Sequence, residues 1–433
     1  MSFLLFLLYN VIRVPLLGII QCAGFFNVKI RKTLSGRKGL FSRLERQLQH
    51  VPESSMRMWL HMSSMGEYEQ GLPLLNALSQ RYEHAWFVVT LFSPSVYEHI
   101  KKEHPRTIFS YLPLDSYRNA KRFIELIRPA AHVIIRHDIW PNYQWLLKKK
   151  SIPNVLVDAS ISDQRWTAVR KWPWRFRQLH AAFDAICTVS ELNAERFQRV
   201  YPHPEHIHVC GDTRYDRVYE RAMETSNIEF LQQHWHIPRA QCVVAGSTWP
   251  SDEQIIFSSL VETMKQDEHM GLVVAPHETT AEHVEHILAH FRQADLFAVT
   301  LSQFEQDPTP EARVLVIDRI GLLANLYALG AIAFVGGGFG AGVHNVLEPA
   351  AHGCVVSFGP RHLNSPEAKT MVARNIATPV ATQQDVAHFL NTVLSNSESV
   401  RQQREQTRAF VLQNVNASQR TVDVIDNILS KKK

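Results

Sequence analysis

The stretch that decides the fold is Phe334–Ala350, which reads FVGGGFGAGVHNVLEPA. A short apolar run leads into five glycines within seven residues, and a helical pattern then begins. This order predicts a buried strand, a tight turn and a helix, which is the repeating unit of a parallel α/β sheet. Because glycine loses more conformational entropy on folding than any other residue, five glycines so close together indicate a backbone that lies close to a neighbouring group.

The start of this helix allows two interpretations. Asn345 and Glu348 stand three residues apart and can form a capping box, which needs no ligand. Alternatively, the stretch is a nucleotide-sugar site, in which the turn at Gly337 and Gly338 and the helix N-terminus bind phosphate while the carboxylate binds ribose hydroxyls. The stretch has neither the GxGxxG spacing of a dinucleotide site nor the Gly-Lys-Ser/Thr sequence of a P-loop.

The composition is that of an ordinary globular protein. The chain has 433 residues, of which 45% are hydrophobic and 20% charged, so it is not disordered, collagen-like or a multi-span membrane protein. Its length allows two or three domains. The net charge of +5 is too small to indicate a nucleic acid partner, although it suits a phosphorylated ligand or an anionic membrane surface. The five cysteines are scattered without a CxxC pair, which favours a reducing compartment.

Short apolar runs alternate with helical patterns along most of the chain, which predicts parallel strands buried on both faces. The alternation pauses at the polar stretch 218–240 and so separates two halves. We expect two Rossmann-like, doubly wound α/β domains, 29–215 and 235–410, with a linker at 216–234 and a terminal helix and basic tail at 411–433. The predicted strands are Arg57–His61, Trp86–Thr90, Val133–Arg136, Asn154–Asp158, Ala185–Val189, His208–Cys210, Cys242–Ala245, Gly271–Ala275, Val314–Ile317, Ile332–Val335 and Val355–Phe358.

The apolar N-terminal segment, residues 3–26, predicts a membrane anchor over residues 1–28. The segment is barely long enough to span a bilayer, which takes about 20 apolar residues, and Arg13 near its middle would be costly at the bilayer centre. The anchor therefore either spans the membrane or lies at its surface, and a buried helix of a soluble domain is the alternative. Basic residues follow the segment, which favours a cytoplasmic location for the rest of the chain, against anionic lipid.

Ligands of doubly wound domains bind beyond the carboxyl ends of the strands, and polar residues follow two strands of the first half. In His61–Glu67, HMSSMGE, Glu67 begins a helix after a turn of small residues, and it either complements the helix dipole or acts as a general base. In Arg136–Asn142, RHDIWPN, Asp138 is either a helix cap or a functional acid. Two such domains facing each other would hold a ligand in the cleft between them.

Two turns of the second half have the same position after a strand. Gly246, Ser247 and Thr248 combine a backbone that allows close approach with hydroxyls that suit a phosphate, although many strand-to-helix turns look alike. Pro276 and His277 follow the next strand, and the histidine either meets a phosphate or a base or is an ordinary surface side chain.

Two further clusters carry weaker signals. The histidines at 203–208 and 283–290 match no metal-site spacing, so we predict no metal site. The aromatic and basic run Trp166–Arg177 either lies on a membrane or a lipid headgroup, or packs its aromatic side chains into the core.

Taken in order, these motifs resemble those of the bacterial 3-deoxy-D-manno-octulosonic acid (Kdo) transferases of lipid A assembly. The resemblance runs from the apolar N-terminus to about Pro366. The motifs that carry it are S-x-G-E at Ser64–Glu67, W-P-N at Trp140–Asn142, G-D-T-R at Gly211–Arg214, A-G-S-T at Ala245–Thr248, A-P-H at Ala275–His277, H-N-x-L-E-P-A at His344–Ala350 and F-G-P at Phe358–Pro360.

The resemblance implies a GT-B fold and an inverting glycosyltransferase. Its donor would be CMP-Kdo and its acceptor a lipid A precursor, lipid IVA, in lipopolysaccharide inner-core biosynthesis, with no metal or other cofactor. The catalytic domains would lie on the cytoplasmic side of the inner membrane. The alternatives are another GT-B enzyme that uses a UDP-sugar, as a transferase or an epimerase, and a catalytically inactive nucleotide-sugar-binding protein at the membrane.

The resemblance also implies roles for individual residues. Glu67 matches the catalytic base of the family. The family commonly has two acidic residues, E-x-E, before W-P-N, whereas here Arg136 replaces the first and Asp138 the second, which suggests an altered acceptor contact. Arg136 and Arg214 are candidates for phosphate or acceptor contacts. The positions that match the surroundings of the CMP moiety are Gly246, Ser247, Thr248, Pro276, His277, Asn345 and Glu348.

Overall fold

The computed structural model describes residues 3–224, 226–395 and 397–431. The chain forms two compact units, the first from Met1–Arg217 and Asn416–Lys433 and the second from Val218–Val415. The last segment of the chain therefore belongs to the first unit. The domain limits expected from the sequence stay predictions, and the last two residues of the predicted basic tail lie outside the described residues.

The first unit contains a seven-stranded sheet whose neighbouring strands all pair in parallel, in the order β3-β2-β1-β4-β5-β6-β7. The order runs outward from β1 in both directions, so the sheet is doubly wound. Its strands are β1 (Arg57–Met62), β2 (Trp86–Leu91), β3 (Thr107–Tyr111), β4 (Ala131–Ile135), β5 (Asn154–Ala159), β6 (Ala185–Thr188) and β7 (Ile207–Val209).

The second unit contains another seven-stranded parallel sheet, in the order β10-β11-β9-β8-β12-β13-β14. Here the order runs outward from β8. Its strands are β8 (Cys242–Thr248), β9 (Gly271–Pro276), β10 (Ala298–Thr300), β11 (Val314–Val316), β12 (Ile332–Val335), β13 (Val355–Phe358) and β14 (Ala377–Pro379). The two sheets confirm the prediction of two doubly wound α/β halves.

Helices precede the first sheet, connect the strands and end the chain. Up to the boundary between the units they are α1 (Phe3–Phe26), α2 (Val28–Ser35), α3 (Leu40–Leu48), α4 (Met65–Arg81), α5 (Pro94–His99), α6 (Tyr117–Ile127), α7 (Pro141–Lys149), α8 (Asp163–Lys171), α9 (Pro173–His180), α10 (Glu191–Gln198) and α11 (Thr213–Met223). They continue with α12 (Glu229–His234), α13 (Pro250–Gln266), α14 (Ala281–Gln293), α15 (Leu301–Gln306), α16 (Leu323–Leu326), α17 (Leu347–Ala351), α18 (Pro366–Ala373), α19 (Gln383–Ser395), α20 (Ser397–Leu412) and α21 (Ala417–Ser430). Short 3₁₀ turns lie at Pro204–His206, Ser226–Ile228, Arg239–Gln241 and Tyr327–Leu329.

All the strands predicted from the sequence are present, and their ends differ from the prediction by three residues or fewer. Three strands were not predicted from the sequence, β3, β10 and β14, and each lies at an edge of its sheet. An edge strand pairs on one side only, and short edge strands are one means by which proteins prevent association with other chains. Of the three, β10 and β14 have only three residues each and so leave a short apolar run in the sequence.

The cores show why the central strands have nearly continuous apolar sequences. Along β1, Met58, Leu60 and Met62 join one hydrophobic cluster, whereas Trp59 joins another on the opposite face. All four side chains are at most 1% exposed. Burial of each such side chain stabilises the fold by about 1.5–3 kcal/mol, and it requires helices on both faces of the sheet.

The aromatic and basic run Trp166–Arg177 divides between its two predicted roles. Trp166 and Phe176 pack against a buried cluster of the first unit. Trp172 and Trp174 are about half exposed, at 53% and 47%, and the guanidinium of Arg175 lies over both rings. The core interpretation therefore holds for the first pair, and the second pair forms an exposed aromatic and basic surface.

The glycine turn after β12 is tight because it lies against other backbone. A Cβ atom at Gly336 would stand 2.1 Å from the carbonyl oxygen of Ser247, and one at Gly338 would stand 2.5 Å from the backbone of Gly359. The turn therefore packs between the ends of β8 and β13. Gly340 differs, since a Cβ there would meet its nearest neighbours at 3.7 Å, an ordinary contact.

We predict that Gly338→Ala destabilises the second unit and that Gly340→Ala does not. Overpacking of this kind costs about 1–3 kcal/mol, because the backbone of Gly359 must move to admit the methyl group. Urea denaturation of the two variants, followed by the fluorescence of the tryptophans, measures the difference in the free energy of unfolding. Equal effects of the two substitutions would contradict the packing described for this turn.

Candidate active site

The first candidate group is the Glu67 carboxylate, which the turn after β1 holds at the start of α4. The backbone N–H of Ser63 donates to Glu67 Oε2 at 2.6 Å, and Ser64 caps the helix by accepting from the N–H of Glu67 at 3.3 Å. The half-buried carboxyl has a raised pKa because burial outweighs the hydrogen bond from Ser63 and the charge of His61, and nearby Asp138 adds to the rise. A raised pKa makes this carboxylate a better proton acceptor than an exposed glutamate.

Asp138, in the loop between β4 and α7, has the opposite electrostatic environment. Burial by itself would raise its pKa, but hydrogen bonds and the charge of His61 lower it below the ordinary value. His61 Nε2 lies 2.9 Å from Asp138 Oδ2, and Trp140 Nε1 donates to the same oxygen at 3.0 Å. Glu67 and Asp138 are thus electrostatic neighbours with pKa values shifted in opposite directions, the arrangement expected where one carboxylate accepts a proton and the other stays ionised.

His61 is a residue to which the sequence analysis gave no role. It is 1% exposed at the end of β1, and its Nδ1 lies 2.9 Å from the hydroxyl of Thr90 and 3.1 Å from the carbonyl of Thr90. The ring therefore connects β2 to Asp138 across the carboxyl edge of the sheet. A histidine inside an otherwise apolar strand was the available signal, because a buried polar side chain needs partners.

Arg214 is held by buried Asp212, and Arg136 is near enough to Asp158 and Asp212 to lower the pKa of both carboxyls by its charge. Arg214 Nε and Nη2 donate to Asp212 at distances of 2.7–3.1 Å. Asp158 accepts from the backbone N–H of Thr213 at 3.0 Å, and burial beside Asp212 raises its pKa, whereas the charge of Arg136 lowers it. The two arginines thus offset the negative charge of the pair Asp158 and Asp212. Neither carboxylate was among the candidate residues predicted from the sequence.

In the second unit, the A-G-S-T motif forms the end of β8. Ser247 adopts a left-handed conformation with φ of 54°, and the strand register shifts around it. Gly246 has no room for a side chain, since a Cβ would stand 2.2 Å from the hydroxyl of Tyr327. Thr248 is buried and donates to Glu253 Oε1 at 2.8 Å. Of the two hydroxyls expected at a phosphate, that of Thr248 is therefore engaged within the protein.

An aromatic stack stands next to this strand end. The ring of His277, which follows Pro276 at the end of β9, stacks on Trp249 at 4.3 Å and on His344 at 4.6 Å between centroids. Trp249 Nε1 donates to His344 Nε2 at 3.0 Å and fixes the third ring. Since His277 itself is exposed, its imidazole presents polar atoms to solvent from a rigid stack.

The glycine turn does not offer all of its N–H groups to an anion, contrary to the sequence-based expectation. Gly337 N–H donates to Asp252 Oδ2 at 2.8 Å, and Phe339 N–H donates to Asp252 Oδ1 at 3.2 Å. Asp252 lies in the first turn of α13, is fully buried and also accepts from the N–H of Trp249 at 2.9 Å. A carboxylate of the chain itself therefore occupies the position expected for an anionic ligand.

The capping box that was one interpretation of Asn345 and Glu348 is not formed. The N-cap of α17 is Val346, and Asn345 Oδ1 accepts from the N–H of Leu347 at 3.0 Å. Glu348 Oε1 lies 3.6 Å from Arg221 Nη1, and the glutamate side chain is 13% exposed. Asn345 is exposed at the same carboxyl edge of the sheet, next to the His344 ring.

Each unit thus gathers its own set of predicted residues at the carboxyl edge of its sheet. In the first unit these are Glu67 and Asp138, which share His61, and Arg136 and Arg214, which share the carboxylate pair. In the second unit the predicted donor residues lie at or after the ends of β8, β9 and β12: Gly246, Ser247, Thr248, Pro276, His277, Gly337, Gly338, Asn345 and Glu348.

We predict that Asp252→Ala destabilises the second unit by about 3 kcal/mol, because it leaves buried backbone N–H groups without an acceptor. Glu262, an exposed residue of the same helix, supplies the control, and Glu262→Ala is expected to change stability by less than about 0.5 kcal/mol. Thermal unfolding of both variants tests this. If Asp252→Ala were as stable as the control, the turn would not depend on this carboxylate.

The chain is similar in sequence to Kdo transferases. Residues 36–217 match the family model described as 3-Deoxy-D-manno-octulosonic-acid transferase (kdotransferase). The chain is 27% identical to the 3-deoxy-D-manno-octulosonic acid transferase of Aquifex aeolicus over 70% of this chain and 76% of that one, and 24% identical to that of Haemophilus influenzae over 86% and 87%. UDP-GlcNAc 2-epimerase from Neisseria meningitidis has the same fold, with a TM-score of 0.59 at 12% identity over 86% of this chain and all of that one.

The structural likeness confirms the GT-B fold class, and the sequence matches extend over both units. The chain is a glycosyltransferase that resembles the 3-deoxy-D-manno-octulosonic acid transferases, by the family model over residues 36–217 and by its relatives over both units.

Proposed function

We propose that the protein transfers Kdo from CMP-Kdo to a lipid A precursor, lipid IVA, with inversion at the anomeric carbon, at the cytoplasmic face of the inner membrane. The observation that carries the proposal is the match to Kdo transferases over both units, together with a Glu67 carboxylate of raised pKa in the motif shared with the family. The apolar helix α1, which is long and apolar enough to cross a membrane by length and composition, supports a membrane-associated acceptor.

In this proposal Glu67 takes the proton from the attacking sugar hydroxyl of the acceptor. The hydrogen bond from Ser63 fixes the carboxylate, and partial burial keeps its pKa above the ordinary value. Asp138 stays ionised because His61 and Trp140 hydrogen-bond to it. Its negative charge raises the pKa of Glu67 further, so Asp138 acts on the base through space.

Arg136 and Arg214 are proposed to face the phosphate groups of the acceptor. Each arginine is near a buried carboxylate, which offsets its positive charge when no phosphate is bound. Arg136 comes directly after β4 and has a strained left-handed backbone, with φ of 66°. Such strain is common where the surrounding structure holds a functional residue in place.

In the second unit, the proposed donor site holds the CMP moiety at the ends of β8, β9 and β12. Because Asp252 binds two N–H groups of the glycine turn, the phosphate must find its donors elsewhere, and Ser247, exposed His277 and exposed Asn345 are the candidates. Glu348 is proposed to accept hydrogen bonds from the ribose hydroxyls. Gly337 then shapes the site through close packing, whereas the N–H of Gly338 is not among those that Asp252 accepts and stays a candidate phosphate donor.

We expect Glu67→Gln to lower Kdo transfer by about 10²–10⁴-fold while leaving CMP binding unchanged, because the amide cannot accept the proton. The matched control is Glu69→Gln on the same helix, which removes a surface ion pair with Arg217. Initial rates and calorimetric titration with CMP check both variants.

The pH dependence adds a second readout for Glu67. Because the general base must be ionised, kcat/KM of the unmodified enzyme should fall as the pH drops through the pKa of Glu67, at a pH above its ordinary value of 4.5. Glu67→Gln should lose this acidic limb. Unchanged turnover in the glutamine variant would remove Glu67 from the chemistry.

A second candidate function is a GT-B reaction on a UDP-sugar, which the likeness to UDP-GlcNAc 2-epimerase favours on fold alone. The two candidate functions are distinguished by which nucleotide stabilises the protein against thermal unfolding. We expect CMP to raise the melting temperature of the protein and UDP at the same concentration to have little effect, since a ligand that binds the native state stabilises it. Protection by UDP and not by CMP would contradict the proposed donor.

A further inference from the structure

The apolar helix α1 has one face that the rest of the first unit binds. Phe6 stacks on Trp145 of α7 at 4.4 Å between ring centroids. The hydroxyl of Tyr9 donates to Asp115 Oδ2 at 2.6 Å, and Asn10 Nδ2 donates to Asn142 Oδ1 at 2.9 Å. These contacts recur at helical spacing and lie along one side of α1.

Arg13 continues this face by one turn. The residue is half-buried, and its positive charge lies close enough to Asp115 to lower the pKa of that carboxyl, although burial, the larger effect, raises it. An arginine is costly in the middle of a membrane-spanning segment. In the first unit, called the catalytic unit below because it holds the proposed base Glu67, the charge of the same arginine is near that of buried Asp115.

The C-terminal end of α1 is also attached to this unit. Gly24 is buried, and a Cβ there would lie 3.1 Å from Leu34 of α2, so α2 packs directly on α1. Just after α2, Arg37 donates to the carbonyls of Leu112 and Phe92 at 2.8 and 3.0 Å. Both ends of the helix are thus held by the catalytic unit.

These attachments leave too little helix to cross a bilayer. Beyond Arg13, the segment Val14–Phe26 has 13 residues, which extend about 20 Å at 1.5 Å per residue. The hydrocarbon core of a bilayer is about 30 Å thick. A helix attached through Phe6, Tyr9 and Asn10, with the charge of Arg13 near Asp115, therefore cannot span the membrane without leaving the catalytic unit.

The opposite face of α1 is apolar and unusually exposed. Its large side chains are each 50–64% exposed: Leu7, Leu8, Val11, Ile12, Val14, Leu16 and Ile19. Phe25 and Phe26 are 80% and 93% exposed, and exposed Lys29, Arg31 and Lys38 follow them. An apolar face next to basic residues suits the boundary between acyl chains and anionic headgroups.

We infer that α1 does not cross the membrane but lies flat in one leaflet, with its polar face bound to the catalytic unit and its apolar face in the lipid. This inference rests on the proposed membrane association and not on the proposed chemistry. The polar contacts hold the helix against α7, which begins directly after Trp140, a hydrogen-bond donor to Asp138. The membrane-binding helix and the proposed acceptor site then have a fixed relation within the first unit.

The test uses the full chain in membranes of a bacterial expression host, with Cys22→Ser removing the exposed thiol among the described residues. A single cysteine in an N-terminal extension is labelled with a membrane-impermeant maleimide, in inverted vesicles and in intact spheroplasts. Glu53→Cys, on the exposed surface of the catalytic unit, is the control for sidedness. We expect both cysteines to be labelled in inverted vesicles and neither in spheroplasts.

A second measurement tests the contact itself. In the same membranes, a short bis-thiosulfonate should cross-link Asn10→Cys to Asn142→Cys, whereas Val11→Cys on the exposed face should not react with Asn142→Cys. Labelling of the N-terminal cysteine in spheroplasts only would overturn the inference, as would absence of the first cross-link. Recovery of the chain in the soluble fraction would overturn the membrane association as well. Kdo transfer measured in these membranes decides the proposed chemistry separately.

Discussion

The structure depends on the parallel direction of its strands. Because every strand of a sheet runs the same way, the segments that follow the strands all emerge at one edge, where residues distant in sequence meet. In the first unit this brings Glu67, after β1, next to Asp138, after β4. In the second unit it brings the end of β8 next to the glycine turn after β12. The candidate residues of each unit are collected by this one geometric constraint.

Both units have a carboxylate in the first turn of a helix, but the two carboxylates have different roles. A carboxylate lies in the first turn of the helix that follows the first strand of each sheet in the sequence, Glu67 in α4 and Asp252 in α13. Asp252 is fully buried and accepts three backbone N–H groups, so its role is structural. Glu67 accepts one from Ser63 and has a raised pKa, which leaves it chemically available. Burial and the number of donors separate the two roles.

The sequence was sufficient for the fold and for the positions of most candidate residues, because apolar periodicity and small residues after strands are local signals. It was insufficient for the partners of those residues. Asp252 and the glycine turn are about 85 positions apart, and His61 meets Asp138 across 77 positions. Only the pairing of the strands brings such groups together, so no local pattern could show that the glycine turn predicted to bind phosphate already binds a carboxylate of the chain.

We propose that the protein moves Kdo onto a lipid acceptor. The most direct measurement is incubation of the full chain with CMP-Kdo and a tetra-acylated lipid A precursor, followed by mass spectrometry of the lipid. We expect the lipid to gain the mass of one or more Kdo residues as CMP is released. Unchanged lipid with intact CMP-Kdo, together with turnover of a UDP-sugar under the same conditions, would contradict the account.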